Sequence, residues 1–301
     1  MIFNIQGVLA PVFAPVDEKG NINFDIIPRY AQFLNNSGIN GILVGGTTGE
    51  AVTMTVKERN DLLEAWVKTA RPLDMKVIAQ IGGVPLPDIV EMAKFAQEVH
   101  ADAIMTLPEL YYKPRTVEHL VSYLAVVAKA APSLPLIYYH FPMMSGVDVN
   151  MSEFLTLASS RIPTFKGMKA DLGVAVQVAD QLAADQRIFI ANHQIAPAVL
   201  MGHESSIATV TNIFPELVQS IVEAVKSGDV FQAKIQQEHL NRLVNIITSH
   251  GDFVPSMKEA MELVTGIAMG PPRLPLLPLG ESSKKSVADN LKALNVKTFS
   301  P

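Results

Sequence analysis

The chain has 301 residues, 49% of them hydrophobic and 18% charged, enough for a large folded core and too apolar for a disordered segment. A formal net charge of −5 and a pI near 5.8 argue against nucleic acid or an anionic membrane surface as the main partner. Cysteine is absent, which excludes disulfides, thiolate catalysis and Cys-ligated metals.

The start of the chain, Met1 to Gly7, has no basic stretch followed by a long apolar run, and no later run is long enough to span a bilayer, so a soluble cytoplasmic protein is expected. A first strand is predicted over 7–13 and an amphipathic helix over 24–34. The apolar run 41–44 reads as a strand and leads into Gly45-Gly46-Thr47-Thr48-Gly49-Glu50. Thr55-Val56-Lys57-Glu58 is a capping box that opens a helix to about residue 70. Strands follow at 76–80, 103–106 and 136–139, each succeeded by a helix, at 86–99, 116–131 and 152–160. The stretch 164–171 reads as a short buried strand that closes on Lys169, before a helix over 173–184. Strand 187–191, a short helix 195–201, strand 206–209 and helix 214–226 complete the alternation.

About eight strand–helix units with short, continuously apolar strands point to an α/β fold, a (β/α)8 TIM barrel; an open doubly wound sheet would have fewer strands. Beyond it the β signal stops. Segments 230–249, 256–265 and 286–294 read as helices around a stiff, proline-rich connector over 269–276. The expected organisation is a barrel over 1–225 that carries the site and a helical extension over 226–301 packed on it.

In such a barrel the reactive groups sit at the C-terminal ends of the strands, and the unusual residues of this chain fall there. The loop 45–50 could hold a carboxylate through backbone N–H groups and the hydroxyls of Thr47 and Thr48, although a glycine-rich turn is most often only a turn. Tyr139, at the end of the fifth strand, could relay a proton, and could equally be a core aromatic. Lys169 could be a nucleophilic amine. An ammonium does not attack, so such a site must take its proton. The free amine would add to the ketone of an α-keto acid, and the iminium would then draw in the electrons of the adjacent C–C bond, with no metal and no cofactor. His140 and His193 could be metal ligands, but neither stands at a ligand spacing.

Three stretches carry a family likeness: Gly-Gly-Thr-Thr-Gly-Glu at 45–50, Tyr-Tyr-His-Phe-Pro from Tyr138 with Gly146 beyond, and Phe-Lys-Gly-Met-Lys ending at Lys169. Together they resemble the dihydrodipicolinate synthase / N-acetylneuraminate lyase family of Schiff-base, pyruvate-dependent aldolases. Residues 162–165, 269–276 and 286–300 are similar to its animal-type lyase branch.

The resemblance implies Lys169 as the Schiff-base lysine and Tyr139 as the catalytic tyrosine. It implies Thr47 and Thr48 as the carboxylate-binding pair, with Thr48 also linking Tyr139 into a proton relay, and Tyr111 as a tyrosine lent to a neighbouring subunit. A homotetramer built as a dimer of dimers is implied as well, with a small keto acid as substrate and neither nucleic acid nor membrane as partner. Substrate contacts would come from Thr47, Thr48, Asp171, Asn192, His193 and Thr209.

Five of the chain's residues depart from the lyase pattern. Asn192-His193 stands where the sialic acid lyases carry Asp-Glu, Asp171 where a small hydroxyl residue is usual, Thr209 for a serine and Ile190 for a glycine. Met144 takes the place of the arginine of the dihydrodipicolinate synthase branch. The expected reaction is cleavage of N-acetylneuraminate or a related 2-keto-3-deoxy sugar acid to pyruvate and an aldehyde. The alternatives are a pyruvate aldolase with another aldehyde partner, a non-catalytic member of the fold, and a metal-dependent aldolase.

Overall fold

The computed structural model describes residues 3–299. Eight parallel strands close a barrel in sequence order: β1 (Val8–Pro11), β2 (Gly41–Val44), β3 (Lys76–Gln80), β4 (Ala103–Thr106), β5 (Leu136–Tyr139), β6 (Phe165–Ala170), β7 (Arg187–Ile190) and β8 (Ser206–Ile207). Between them run α1 (Ile27–Asn36), α2 (Val56–Ala70), α3 (Leu86–Glu98), α4 (Val117–Ala130), α5 (Pro142–Ser145), α6 (Met151–Arg161), α7 (Leu172–Gln177) and α8 (Ile195–Leu200). After β8 come α9 (Pro215–Lys226), α10 (Val230–Thr248), α11 (Phe253–Thr265) and α12 (Glu281–Ala293).

The strands read as unbroken apolar runs because both of their faces are buried. Leu9, Leu43, Ile78, Met105, Ile137, Phe189 and Ile207 fill the barrel interior, with Tyr139 in the same cluster. The alternate residues, among them Ala10, Ile42, Val44, Ile104, Tyr138 and Met168, face the helices. The capping box forms as the sequence indicates: Thr55 Oγ1 accepts from Glu58 N, and the Glu58 carboxylate accepts from Thr55 N.

Three elements differ from the sequence reading. The helix expected over 173–184 is only the short α7 followed by a 3-10 turn at Ala179–Gln181. Gly173 and the β-branched Val174, Val176 and Val178 lower helix propensity there. β8 is two residues long and gives way to a 3-10 turn, Thr209–Asn212. α12 begins at Glu281, earlier than its apolar periodicity suggests, because its first turn is solvent-facing and only Val287 and Leu291 are buried.

The C-terminal helices grip the barrel rather than hang from it. α10 packs on α8 and α9, and α11 reaches the Thr209–Asn212 turn. Glu50, in a left-handed conformation at φ 53°, ends the glycine-rich loop after β2 and is almost wholly buried. Lys258 of α11 donates to its Oε1 at 2.7 Å and to Pro271 O at 2.9 Å. Arg273 N donates to Oε2 at 2.7 Å. The Arg273 guanidinium donates to Gly20 O at 2.6 Å and pairs with Glu58, and that pairing holds the Glu58 carboxyl at about 2, well below the usual carboxylate range. One buried carboxylate thus ties together the β2 loop, α11 and the connector to α12.

Removing one partner of such a pair strands the other charge in the core. Lys258→Met is expected to cost about 3–5 kcal/mol in urea unfolding, and Glu50→Gln/Lys258→Met less than the single change. Equal losses in both variants would show that the pair is not coupled.

Candidate active site

Lys169 points into the barrel because of an extra residue upstream. In the pairing of β5 with β6, Leu136 stands opposite Phe165, and the next residue, Ile137, opposite Gly167. Lys166 is therefore the unmatched residue of a bulge. Phe165 packs outward, 5.7 Å from the Phe154 ring, and strict alternation would send residues 167 and 169 to that same face. The bulge reverses the phase. Met168 and Ala170 turn to the helices, and Lys169 turns inward beside Tyr139, its neighbour in register. Gly167 permits it. Its φ is +125°, and a Cβ there would lie 1.8 Å from the Arg187 carbonyl oxygen.

Lys169 is 5% exposed, with Nζ 3.9 Å from the centroid of the Tyr139 ring. That ring stacks in parallel on Phe141 at 5.7 Å. The Tyr139 hydroxyl lies 3.2 Å from Thr47 Oγ1, and Thr48 Oγ1 lies 2.8 Å from Thr209 Oγ1. The contact between Thr48 and Tyr139 that the expected relay calls for is not made here: Thr47 is the partner of Tyr139, and Thr48 the partner of Thr209. Adjacent residues on a tight turn aim in different directions, so only one of the two hydroxyls reaches the phenol.

The loop's shape is fixed from several sides. Gly49 N donates to Gly46 O at 3.0 Å and Glu50 N to Thr47 O at 3.1 Å. Gln80 Nε2 donates to Gly45 O at 2.9 Å, and a Cβ on Gly45, whose φ is +77°, would crowd the Gln80 carbonyl. Thr209 is held in its turn by Asn212, whose Nδ2 donates to Thr209 O at 3.0 Å and to Pro11 O at 2.8 Å, while Tyr30 donates to its Oδ1 at 2.6 Å. A buried amine, a phenol and hydroxyls on a pinned loop can form an imine with a ketone and hydrogen-bond a carboxylate beside it.

The remaining predicted residues are placed less centrally. Asp171 is exposed and caps α7, its Oδ1 accepting from Val174 N at 2.9 Å, so its carboxylate is engaged by the helix. Asn192 and His193 follow β7, which neighbours the lysine strand. Asn192 Oδ1 accepts from Gln194 N at 3.0 Å, and the His193 carbonyl accepts from Gln237 Nε2 of α10 at 2.7 Å. Burial lowers the His193 pKa. Tyr111 is 83% exposed and stands edge-on to Tyr112 at 5.0 Å, in the segment between β4 and α4. His140 lies on the helix side with Tyr138, its ring buried and its pKa lowered by that burial. Among the described residues no cluster of three His, Asp or Glu could hold a metal ion.

Lys258, Arg273, Asn212 and Gln237 escaped sequence reasoning. Lys258 had a signal: it interrupts an apolar helix face between Val254 and Met261, where an unpaired ammonium would be costly. The other three carry none, since each acts on backbone far away in the chain.

The Dihydrodipicolinate synthetase family profile matches residues 4–294. The N-acetylneuraminate lyase of Homo sapiens is 34% identical over 301 residues, 98% of this chain and 94% of that one. The Rattus norvegicus enzyme of the same name is 33% identical over the same shares. Among solved structures, the sialic acid aldolase of Aliivibrio salmonicida superposes with a TM-score of 0.91 at 32% identity, covering 97% of both chains. The Proteus mirabilis N-acetylneuraminate lyase gives 0.91 at 28% identity, over 97% of this chain and 99% of its own.

Gly167→Ala tests the bulge. A methyl group at that φ meets both the backbone penalty and the Arg187 carbonyl, so a loss of about 2 kcal/mol or more in urea unfolding is expected. Any folded fraction should lose turnover, because re-registering β6 turns Lys169 outward. Wild-type stability and activity in this variant would refute the account.

Proposed function

The chain belongs to the Dihydrodipicolinate synthetase family, and from that premise we propose that it is a carbon–carbon lyase of the Schiff-base type, cleaving N-acetylneuraminate to pyruvate and N-acetylmannosamine. The observation that carries the reading is the buried Lys169 amine set 3.9 Å over the ring of Tyr139, whose hydroxyl meets Thr47. The names of the relatives supply the substrate class.

In the proposed course, the Lys169 amine adds to the C2 ketone of the open-chain sugar acid. Loss of water, with the proton delivered through Tyr139, leaves an iminium. The C4 hydroxyl gives its proton to the Tyr139 phenolate left by that delivery, the C3–C4 bond breaks, and its electron pair moves into the iminium to form an enamine as the aldehyde departs. Protonation at C3 and hydrolysis release pyruvate and restore the amine. The substrate carboxylate lies against the loop 45–50, where the Thr47 and Thr48 hydroxyls and backbone N–H groups are held in advance of binding. Thr209 supports Thr48 there. Asn192 and His193 face the aldehyde portion, with Asp171 at the edge of that side.

The same reading takes the protein as a cytoplasmic homotetramer, a dimer of dimers. Tyr111 and Tyr112 border a groove of about 660 Å³ with Leu86 and Leu110, an apolar surface that a second copy would cover and through which Tyr111 would reach the neighbouring site. Among the described residues no helix is long and apolar enough to cross a membrane.

Borohydride reduction in the presence of pyruvate is the direct test. Peptide mass mapping should find the reduced pyruvate adduct on Lys169, and a folded protein with no adduct would overturn the mechanism. With N-acetylneuraminate as substrate, Lys169→Ala should fall to background with an unchanged circular dichroism spectrum. Tyr139→Phe should lower kcat by about 10²–10⁴-fold, the range of a lost proton-transfer group. Substantial turnover by the alanine variant would sink the proposal.

A further inference from the structure

At the opposite end of the barrel from Lys169, where β7, β8 and β1 begin, lies a second cavity that the proposed reaction does not use. It measures about 320 Å³, the size of a small-ligand pocket, and is lined by Gln6, Arg187, His203, Glu204, Ser205 and Lys226. Its polarity is unlike the apolar interior above it.

Arg187 opens β7 and is half-buried. Among the described residues its guanidinium has no carboxylate or carbonyl partner, and its Nε is sealed from water without an acceptor. His203 Nε2 is likewise buried and unpartnered. Burial lowers the His203 pKa, and an imidazole N–H is a hydrogen-bond donor. Ser205 Oγ accepts from Gly7 N at 3.1 Å, which leaves its own O–H to donate. The one carboxylate in the lining, Glu204, is already paired with Lys226 at 2.6 Å. Among the charged groups of the lining, Arg187 is therefore the one without an oppositely charged partner among the described residues.

An unmatched buried donor costs free energy that an acceptor would relieve. The guanidinium fork matches two oxygens of a planar or tetrahedral oxyanion. We propose that this cavity is a binding site for a small oxyanion, a carboxylate or phosphate group gripped by Arg187, with His203 and Ser205 as further donors. The site is separate from the loop that would hold the substrate carboxylate, and its existence does not depend on which reaction the barrel mouth performs.

Equilibrium dialysis of the full chain against radiolabelled inorganic phosphate, and separately against radiolabelled citrate, at constant ionic strength, tests it and distinguishes the two sources. Saturable binding of one of them at about one per chain is expected. Lys169→Ala should keep that binding, Arg187→Met should weaken it about tenfold or more, and Arg187→Lys by less, since it retains the charge and loses the fork. Should Arg187→Met not fold, Arg187→Lys and His203→Phe carry the comparison, each expected to bind more weakly than the wild type. No saturable binding of either probe, binding untouched by the substitutions at Arg187 and His203, or binding lost in Lys169→Ala would each overturn the proposal.

Discussion

Glu50 buries a carboxylate almost completely, and the segments around the loop that it ends are held together by the groups that pair with it. Its two oxygens take hydrogen bonds from Lys258 and from the backbone of Arg273, residues more than 200 positions away. Desolvation makes each charge costly alone and the pair strongly coupled. Burial pulls the Lys258 pKa down, and the Glu50 charge opposes that pull. The ion pair specifies geometry more than it adds stability: it has one satisfactory arrangement, and that arrangement holds Glu50 in the left-handed conformation that ends the loop carrying Thr47 and Thr48. The C-terminal helices thereby take part in shaping a site to which they contribute no proposed catalytic group.

The second constraint is local and steric. A parallel strand has two faces, and a lysine on the wrong one would meet α-helices instead of a ligand. The unmatched Lys166, permitted by the backbone freedom of Gly167, selects the inner face for Lys169. Lys166 itself pairs with Asp185 and stays out of the interior. The cost is a strand with one irregular ladder position. The other seven strand pairings of the barrel show no such shift, and bulges commonly serve to re-aim a side chain.

The two constraints meet at Tyr139, which belongs at once to the apolar interior and to the polar mouth. Its ring lies under the amine and against Phe141, and its hydroxyl reaches Thr47. A phenol suits the boundary because one end is apolar and the other is a donor and an acceptor. The keto-acid side of the proposed site is thus rigid, pinned by Glu50, Gln80 and Asn212. The other side rests on the turn after β7, held by Asn192 to its own backbone and by Gln237 from α10.

Much of this was readable in the chain itself. The period of apolar residues, the capping box at Thr55 and the eight alternations determine the barrel, because strand and helix periodicity and helix starts are properties of neighbouring residues. Residue type and position at strand ends made Lys169, Tyr139, Thr47 and Thr48 candidates, and the family likeness supplied their proposed roles. Which threonine meets the phenol, whether Asp171 faces a ligand or caps a helix, which face Lys169 takes, and what neutralises Glu50 were decided by tertiary structure alone. A hydrogen bond is settled within a few tenths of an ångström, and those distances are set by contacts between segments that lie far apart in sequence.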